Sequence, residues 1–121
     1  MQISYICHNF RDNNVALDFV NLNKNEPTNL HTVISYQGER TIFVHHAQRN
    51  YKLPEFLETP SWIYYTSLSQ GFENFQKELV SYVKKNPEIK VAFNPATYQL
   101  KSGLANLKNI LEVTFVIFMN L

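Results

Sequence analysis

The strongest constraint in this chain is the change of hydrophobic period along residues 62–119. Residues 62–68, Trp-Ile-Tyr-Tyr-Thr-Ser-Leu, are almost continuously strand-like, the pattern of a strand buried on both faces. Between residues 72 and 85 the period becomes helical. Phe72, Phe75, Leu79, Tyr82 and Val83 fall on one stripe, with Glu73 in the first turn and Lys84-Lys85 in the last, as the helix dipole favours. Asn86-Pro87 stops this helix. Residues 89–93 form the next strand, ended by Asn94-Pro95. Leu104, Leu107, Ile110 and Leu111 mark a second, shorter helix with Ser102 as its N-cap, and residues 114–119 a third buried strand. Strand, helix, strand, helix, strand at these spacings predicts right-handed crossovers and a parallel sheet. The fold class is therefore α/β.

Before this core lies a hairpin. Residues 30–36 and 41–46 are rich in Val, Ile, Thr, Tyr and Phe, which suit a pleated strand. Gly38 supplies the positive φ of a tight turn. A two-residue turn at Gly38-Glu39 sets Tyr36 opposite Thr41 and Ile34 opposite Phe43. Thr32, Ile34, Tyr36, Thr41, Phe43 and His45 then share one face, with Val33, Ser35, Ile42 and Val44 on the other. Apolar groups on both faces predict at least partial cover for both. Upstream, residues 3–7 read as a short strand, 11–14 as a turn, 15–22 as a strand and 21–29 as a loop. Residues 47–60 form a polar connection containing Pro54 and Pro60.

A chain of 121 residues with 45% hydrophobic content forms one domain or part of one. A net charge of +1 gives no electrostatic reason to favour nucleic acid or an anionic membrane. One cysteine, Cys7, forms no internal disulfide and fits a reducing compartment. No leader pattern and no apolar run of transmembrane length is present, so a cytoplasmic setting is expected.

In open α/β sheets ligands sit beyond the carboxyl ends of the strands, and Ser67, Asn94 and Asn120 stand there. Pro27-Thr28, the Gln37-to-Ile42 run (QGERTI), Trp62-Ile63-Tyr64, Ala92-Phe93-Asn94-Pro95-Ala96 and the closing strand with Asn120 resemble, in order, the middle of a ribokinase-like (PfkB-type) carbohydrate kinase. The resemblance implies a Rossmann-like sheet layer over 61–121 and a β-lid over 15–50. It implies sugar-packing positions at Thr32 and Ile34, with Tyr36 on their face. Asn94 then lies at the cleft, and Asn120 opens the Asn-x-x-Glu motif that serves ATP phosphate and Mg²⁺. The family's activity is ATP- and Mg²⁺-dependent phosphorylation of a sugar hydroxyl, and its lid strands often form a dimer interface. Only Leu121 follows Asn120, and no Gly-Ala-Gly-Asp stretch with catalytic base and anion hole occurs here. Nor do residues 1–14 replace the strand that carries the family's sugar-binding Asp. The expectation is a truncated or split kinase frame, inactive alone, binding neither ATP nor Mg²⁺ itself and self-associating through lid strands or sheet edges. The alternative is a non-catalytic module for β-mediated pairing.

Other candidates carry less chemistry. His45 and His46 are adjacent on a strand and point to opposite faces. His31 faces His46 with no evident acidic or thiol ligand nearby. Cys7-His8 lacks a group to orient the imidazole. Trp62 reads as core, Glu39-Arg40 as a solvated tip, and nothing places Asp12 or Asp18 near a cleft.

Overall fold

The computed structural model describes residues 2–22, 29–45, 47 and 49–119, with side chains from Ile6 onward. Pro27, Thr28, His46 and Asn120 lie outside the described residues. The element order is α1 (Gln2–Asp12), β1 (Leu30–Tyr36), β2 (Glu39–His45), β3 (Trp62–Tyr65), α2 (Glu73–Lys85), β4 (Lys90–Phe93), α3 (Thr97–Lys101), α4 (Leu104–Val113) and β5 (Thr114–Ile117). The architecture is mixed α/β: a two-stranded antiparallel hairpin and a three-stranded parallel sheet in the order β3-β4-β5.

Both crossovers step the same way across the sheet, so the handedness rule puts their helices on one side. α2 and α4 accordingly pack together there. The core lies between them and the inward face of the strands, where Val91, Phe93, Leu79 and Ile110 are at most 1% exposed. Tyr65 stacks on Phe93 with ring centroids 5.0 Å apart. Each such side chain contributes about 1.5–3 kcal/mol by leaving water, which is why α2 keeps the stripe read from its sequence. Gln76 and Val80 join that buried stripe.

The opposite face of the sheet is open, which corrects the reading of β3 and β5 as buried on both faces. Trp62 and Tyr64 are 50% and 59% exposed, and Phe115 is 64% exposed. Trp62 is therefore a surface residue rather than core. The strand run is continuously apolar because its outward aromatics pack on one another. Phe115 meets Trp62 edge-on at 5.4 Å, and Phe118 meets Tyr64 at 6.4 Å. A register shift between Val91 and Ala92 leaves Phe115 as the extra residue of β5 and turns its ring to this outer face.

Three further expectations change. Residues 3–7 are helical within α1, and residues 15–22 form no strand but a turn in which Val20 N donates to Leu17 O. Phe19 meets Phe56 at 5.3 Å, and Phe56 stacks on Tyr82 of α2, so this stretch is held by rings, not by a ladder. Ser102 is not the N-cap of α4, which falls on Gly103 with φ +86°. The Ser102 hydroxyl instead donates back to Gln99 O at 2.6 Å, closing the unforeseen helix α3.

The hairpin turns at Gln37-Gly38, with φ +50° and +83°, the sign pattern of a type I′ turn. Pairing is Tyr36 with Glu39, Ile34 with Thr41 and Thr32 with Phe43, two residues from the expected register. The primed turn matches the right-handed twist of the strands and carries the ladder to Glu39. A slip of two preserves the faces, because side chains alternate with period two. All residues of both strands are exposed, so neither face is covered as expected.

Candidate functional site at the carboxyl edge

The parallel sheet directs the carboxyl ends of β3 and β4 to one edge, and a cleft of about 330 Å³ opens there. Thr66 and Ser67 line it from the end of β3, and Asn94, Pro95, Ala96 and Thr97 from the end of β4. Leu100 of α3 and Met119 close it. Of the three strand-end residues singled out in the sequence, Ser67 and Asn94 meet in this cleft, and Asn120 lies outside the described residues.

Asn94 is held rather than free. Its Nδ2 donates to the Tyr64 hydroxyl at 3.0 Å, and its backbone N–H donates to Tyr65 O at 2.9 Å. The Tyr64 phenol is lowered from its ordinary value, first by the Asn94 amide and then by a hydrogen bond with Thr66. A donor aimed at the phenol oxygen favours its anion. Tyr64 is solvent-facing, so this is a local polarisation and not a buried charge.

Gln99 is the post beneath the cleft. It is fully buried. Its Oε1 accepts from Ala96 N at 2.7 Å and its Nε2 donates to Thr66 O at 3.4 Å. One side chain thus ties the β3 exit to the N-terminus of α3. This is half of a capping box, since Ala96 has no side-chain acceptor to return the bond. Next to it the Tyr65 hydroxyl donates to Gln76 Oε1 at 3.2 Å, and Gln76 Nε2 donates to Asn106 O at 2.8 Å. Burial pushes the Tyr65 phenol up to about 12, against a lowering by Gln99. The sequence reading missed Tyr64 and Gln99. The usable signal for Gln99 was a Gln three residues beyond the N-cap position.

The hairpin is anchored at this same edge. Asn29 Oδ1 accepts from Ala47 N at 2.9 Å across the hairpin base. Ala47 O accepts from Ser69 Oγ at 3.4 Å, and Ser69 lies just beyond β3. The Tyr51 hydroxyl bonds Ser69 Oγ at 2.7 Å and accepts from Ser69 N at 2.9 Å. Thr32, Ile34 and Tyr36 share one face of the hairpin, and all three are exposed to solvent.

A larger groove, about 460 Å³, runs between α2 and α4 and is edged by Lys77, Lys84 and Lys85. It is a gap between surface side chains. Lys84 already pairs with Glu112 at 3.7 Å, and Gln76 beneath it is satisfied on both ends. Among the described residues no three His, Cys, Asp or Glu side chains gather as a metal site. His8 Nε2 lies 3.6 Å from Asp12 on exposed α1, remote in role from any cleft. No described helix is long and apolar enough to cross a membrane. No protein-family model, curated protein or solved structure matches the chain.

Proposed function

We propose that this chain forms the lid and part of the cleft floor of a cytoplasmic, ribokinase-like sugar kinase with a Rossmann-like sheet. The parent reaction is phosphoryl transfer from ATP to a sugar hydroxyl. One observation carries the reading: the exposed hairpin is tied, through Asn29, Ala47 and Ser69, to the carboxyl edge where the cleft opens. A lid must spring from that edge to close over a ligand there. The lining of hydroxyls and one carboxamide suits a neutral polyhydroxyl ligand, with Asn94 on the floor and Thr32, Ile34 and Tyr36 on the lid. The resemblance assigns Asn120, outside the described residues, to the nucleotide-phosphate side.

The described cleft does not fit Mg²⁺·ATP. Its lining residues include no carboxylate to ligate the metal and no cation to neutralise phosphate, and phosphoryl transfer depends on both positioning and charge neutralisation. The chain alone therefore binds sugar weakly and transfers no phosphoryl group. Backbone amide NMR during titration with a panel of sugars tests this. Shifts at Thr66, Ser67, Asn94 and on the lid face are expected, without ADP formation when Mg²⁺·ATP is added. Silence across the panel, or robust turnover by the purified chain, overturns it.

A second reading rests on the hairpin's exposure on both faces and along both edges. Unpaired strand edges template pairing with another chain, so β1 and β2 would serve as a non-catalytic self-association module. A monomer at high concentration in sedimentation would refute it.

A further inference from the structure

We propose that the groove between α2 and α4 binds the phosphate monoester of a small polyhydroxyl molecule. It shares no lining residue with the carboxyl-edge cleft, and it is independent of any sugar bound there. The groove arises from the period of α2. Glu73, Lys77, Ser81 and Lys85 recur every four residues, so they form one stripe beside the buried stripe of Gln76, Leu79, Val80 and Val83. α4 packs against α2 and sets Asn106 and Asn109 across from the polar stripe. The space between is about 460 Å³, within the range of small-molecule sites and far above the roughly 30 Å³ share of one water.

The lining is rich in donors. Lys77, Lys84 and Lys85 bring three ammonium groups against one carboxylate, Glu73. Lys84 and Lys85 stand where the helix dipole favours cations, but Lys77 stands two turns earlier and gains nothing from it. Among the described residues no ion pair engages Lys77 or Lys85. Lys84 pairs with Glu112 at 3.7 Å, with both side chains about half exposed, so that contact is weak and easily redirected. The deepest donor is Gln76, which is 6% exposed. Its Oε1 accepts from the Tyr65 hydroxyl and one Nε2 proton goes to Asn106 O, which together fix the plane of the amide. The second Nε2 proton has no acceptor among the described residues. A buried donor left so is unfavourable until a ligand oxygen meets it.

Two features select the ligand. Three ammonium groups call for an oxyanion of charge near −2, which a phosphate monoester carries at neutral pH. Lys77 and Lys84 are about 10 Å apart along the helix axis, a gap that two extended lysine side chains close on one phosphate. Glu73 lies at the other end of the stripe and repels a second anionic group there. It accepts from a hydroxyl instead, and Ser81 and Asn109 both donate and accept. A bare phosphate would leave these three unused, whereas a polyhydroxyl ester engages them.

NMR titration of the chain with glycerol 3-phosphate, inorganic phosphate and glycerol tests the assignment, in about 0.15 M salt so that diffuse charge effects are screened. Glycerol 3-phosphate is expected to shift the Lys77, Ser81 and Asn109 amides and the Gln76 Nε2 protons. It is expected to bind about threefold or more tighter than inorganic phosphate, and glycerol to leave these signals unmoved. Lys77→Gln is expected to weaken the ester about tenfold, the loss of one charge-assisted bond. Asn109→Ala is expected to weaken it about threefold, the loss of a neutral one. Both residues are exposed, so neither change threatens the fold. Lys108→Gln removes a cation of α4 that does not line the groove and is expected to change binding by less than about twofold. Equal losses from Lys77→Gln and Lys108→Gln would mean diffuse attraction to surface charge and overturn the proposal. Inorganic phosphate binding as tightly as the ester overturns the ligand class. Silence at the groove with every probe overturns the site, as do shifts confined to Thr66, Ser67 and Asn94, which would put the ester in the carboxyl-edge cleft.

Discussion

Gln99→Met removes the post under the cleft while keeping nearly the same volume. The Gln99 side chain is fully buried, so its lost polar bonds are not replaced by water. The 2.7 Å bond from Ala96 N to Oε1 is the main loss. An N–H left unsatisfied in a part-buried position costs about 1–3 kcal/mol. The 3.4 Å bond to Thr66 O is at the limit of useful length and adds at most about 0.5 kcal/mol. Extra apolar burial by the Met side chain returns about 1 kcal/mol. The net expectation is about 1–1.5 kcal/mol of destabilisation, centred on α3 and the cleft. Urea unfolding followed by Trp62 emission measures it. With a slope of about 1–1.5 kcal/mol per molar, the midpoint falls by about 1 M. Gln99→Glu is the companion variant. It keeps the acceptor for Ala96 but buries a carboxylate beside the Tyr65 phenol, so its folded-state pKa is raised. Its stability is therefore greatest below the unfolded carboxyl pKa and falls as pH rises. A Gln99→Met midpoint within about 0.3 M of the original, or unchanged Thr66 and Ala96 amide shifts, refutes the argument.

Three further outcomes follow from the same geometry. Gln37 holds φ +50° in the type I′ turn, a conformation Asn adopts more readily than Gln. Gln37→Asn is expected to stabilise the hairpin by a few tenths to about 1 kcal/mol, read as slower amide exchange across Ile34–Thr41; faster exchange contradicts the turn assignment. The Tyr65 phenol is raised to about 12 in the folded state. The stability it confers is complete below its unfolded value near 10 and is lost as pH climbs toward 12. Tyr65→Phe should therefore flatten alkaline unfolding in that window, and an identical alkaline profile sinks the prediction. Asn94 is the first cause of the lowered Tyr64 phenol. Asn94→Ala is expected to move that titration upward, followed by ultraviolet absorbance of the ionised phenol, and no upward movement removes the proposed polarisation.

What the sequence disclosed depended on how many signals agreed at each element. α2 was legible because an apolar stripe, an acidic first turn, a basic last turn and Asn86-Pro87 all pointed to the same segment. The parallel pairing of the three core strands followed from the alternation of periods, and their order β3-β4-β5 was shown by the structure. The hairpin faces were legible, but the pairing was displaced by two, because Gln37 is an unusual occupant of positive φ and Gly38 drew the turn onto itself. α3 was hidden by its length of five residues, too short for periodicity, and with it went Gln99. α1 was misread because β-branched and aromatic residues at its start suit a strand locally, whereas Ile6 and Phe10 recur at helical spacing. At the site, Asn94 and Ser67 were visible because a strand end needs polar residues. Tyr64 was not visible, since in an apolar run nothing distinguishes an outward phenol from a core ring.

The open sheet face follows from a local rule with a global cost. Aromatics at Trp62, Tyr64 and Phe115 satisfy strand propensity, and neighbouring rings shield each other, so β3 and β5 form without a covering layer. Dispersion among those rings offsets part of the exposure but not all of it. Half of each ring still faces water, and the Lys90 ammonium lies over Trp62 and Phe115. A single cation worth about 0.5–1 kcal/mol in such a site is a weak guard against apolar association at about 25 cal/mol per Å². Burying even 100 Å² of this face would exceed it. The fold thus buries its apolar residues on the helix side and leaves the outer residues of β3 and β5 exposed on the strand side. The core is indifferent to that exposure, because Val91 and Phe93 point away from it.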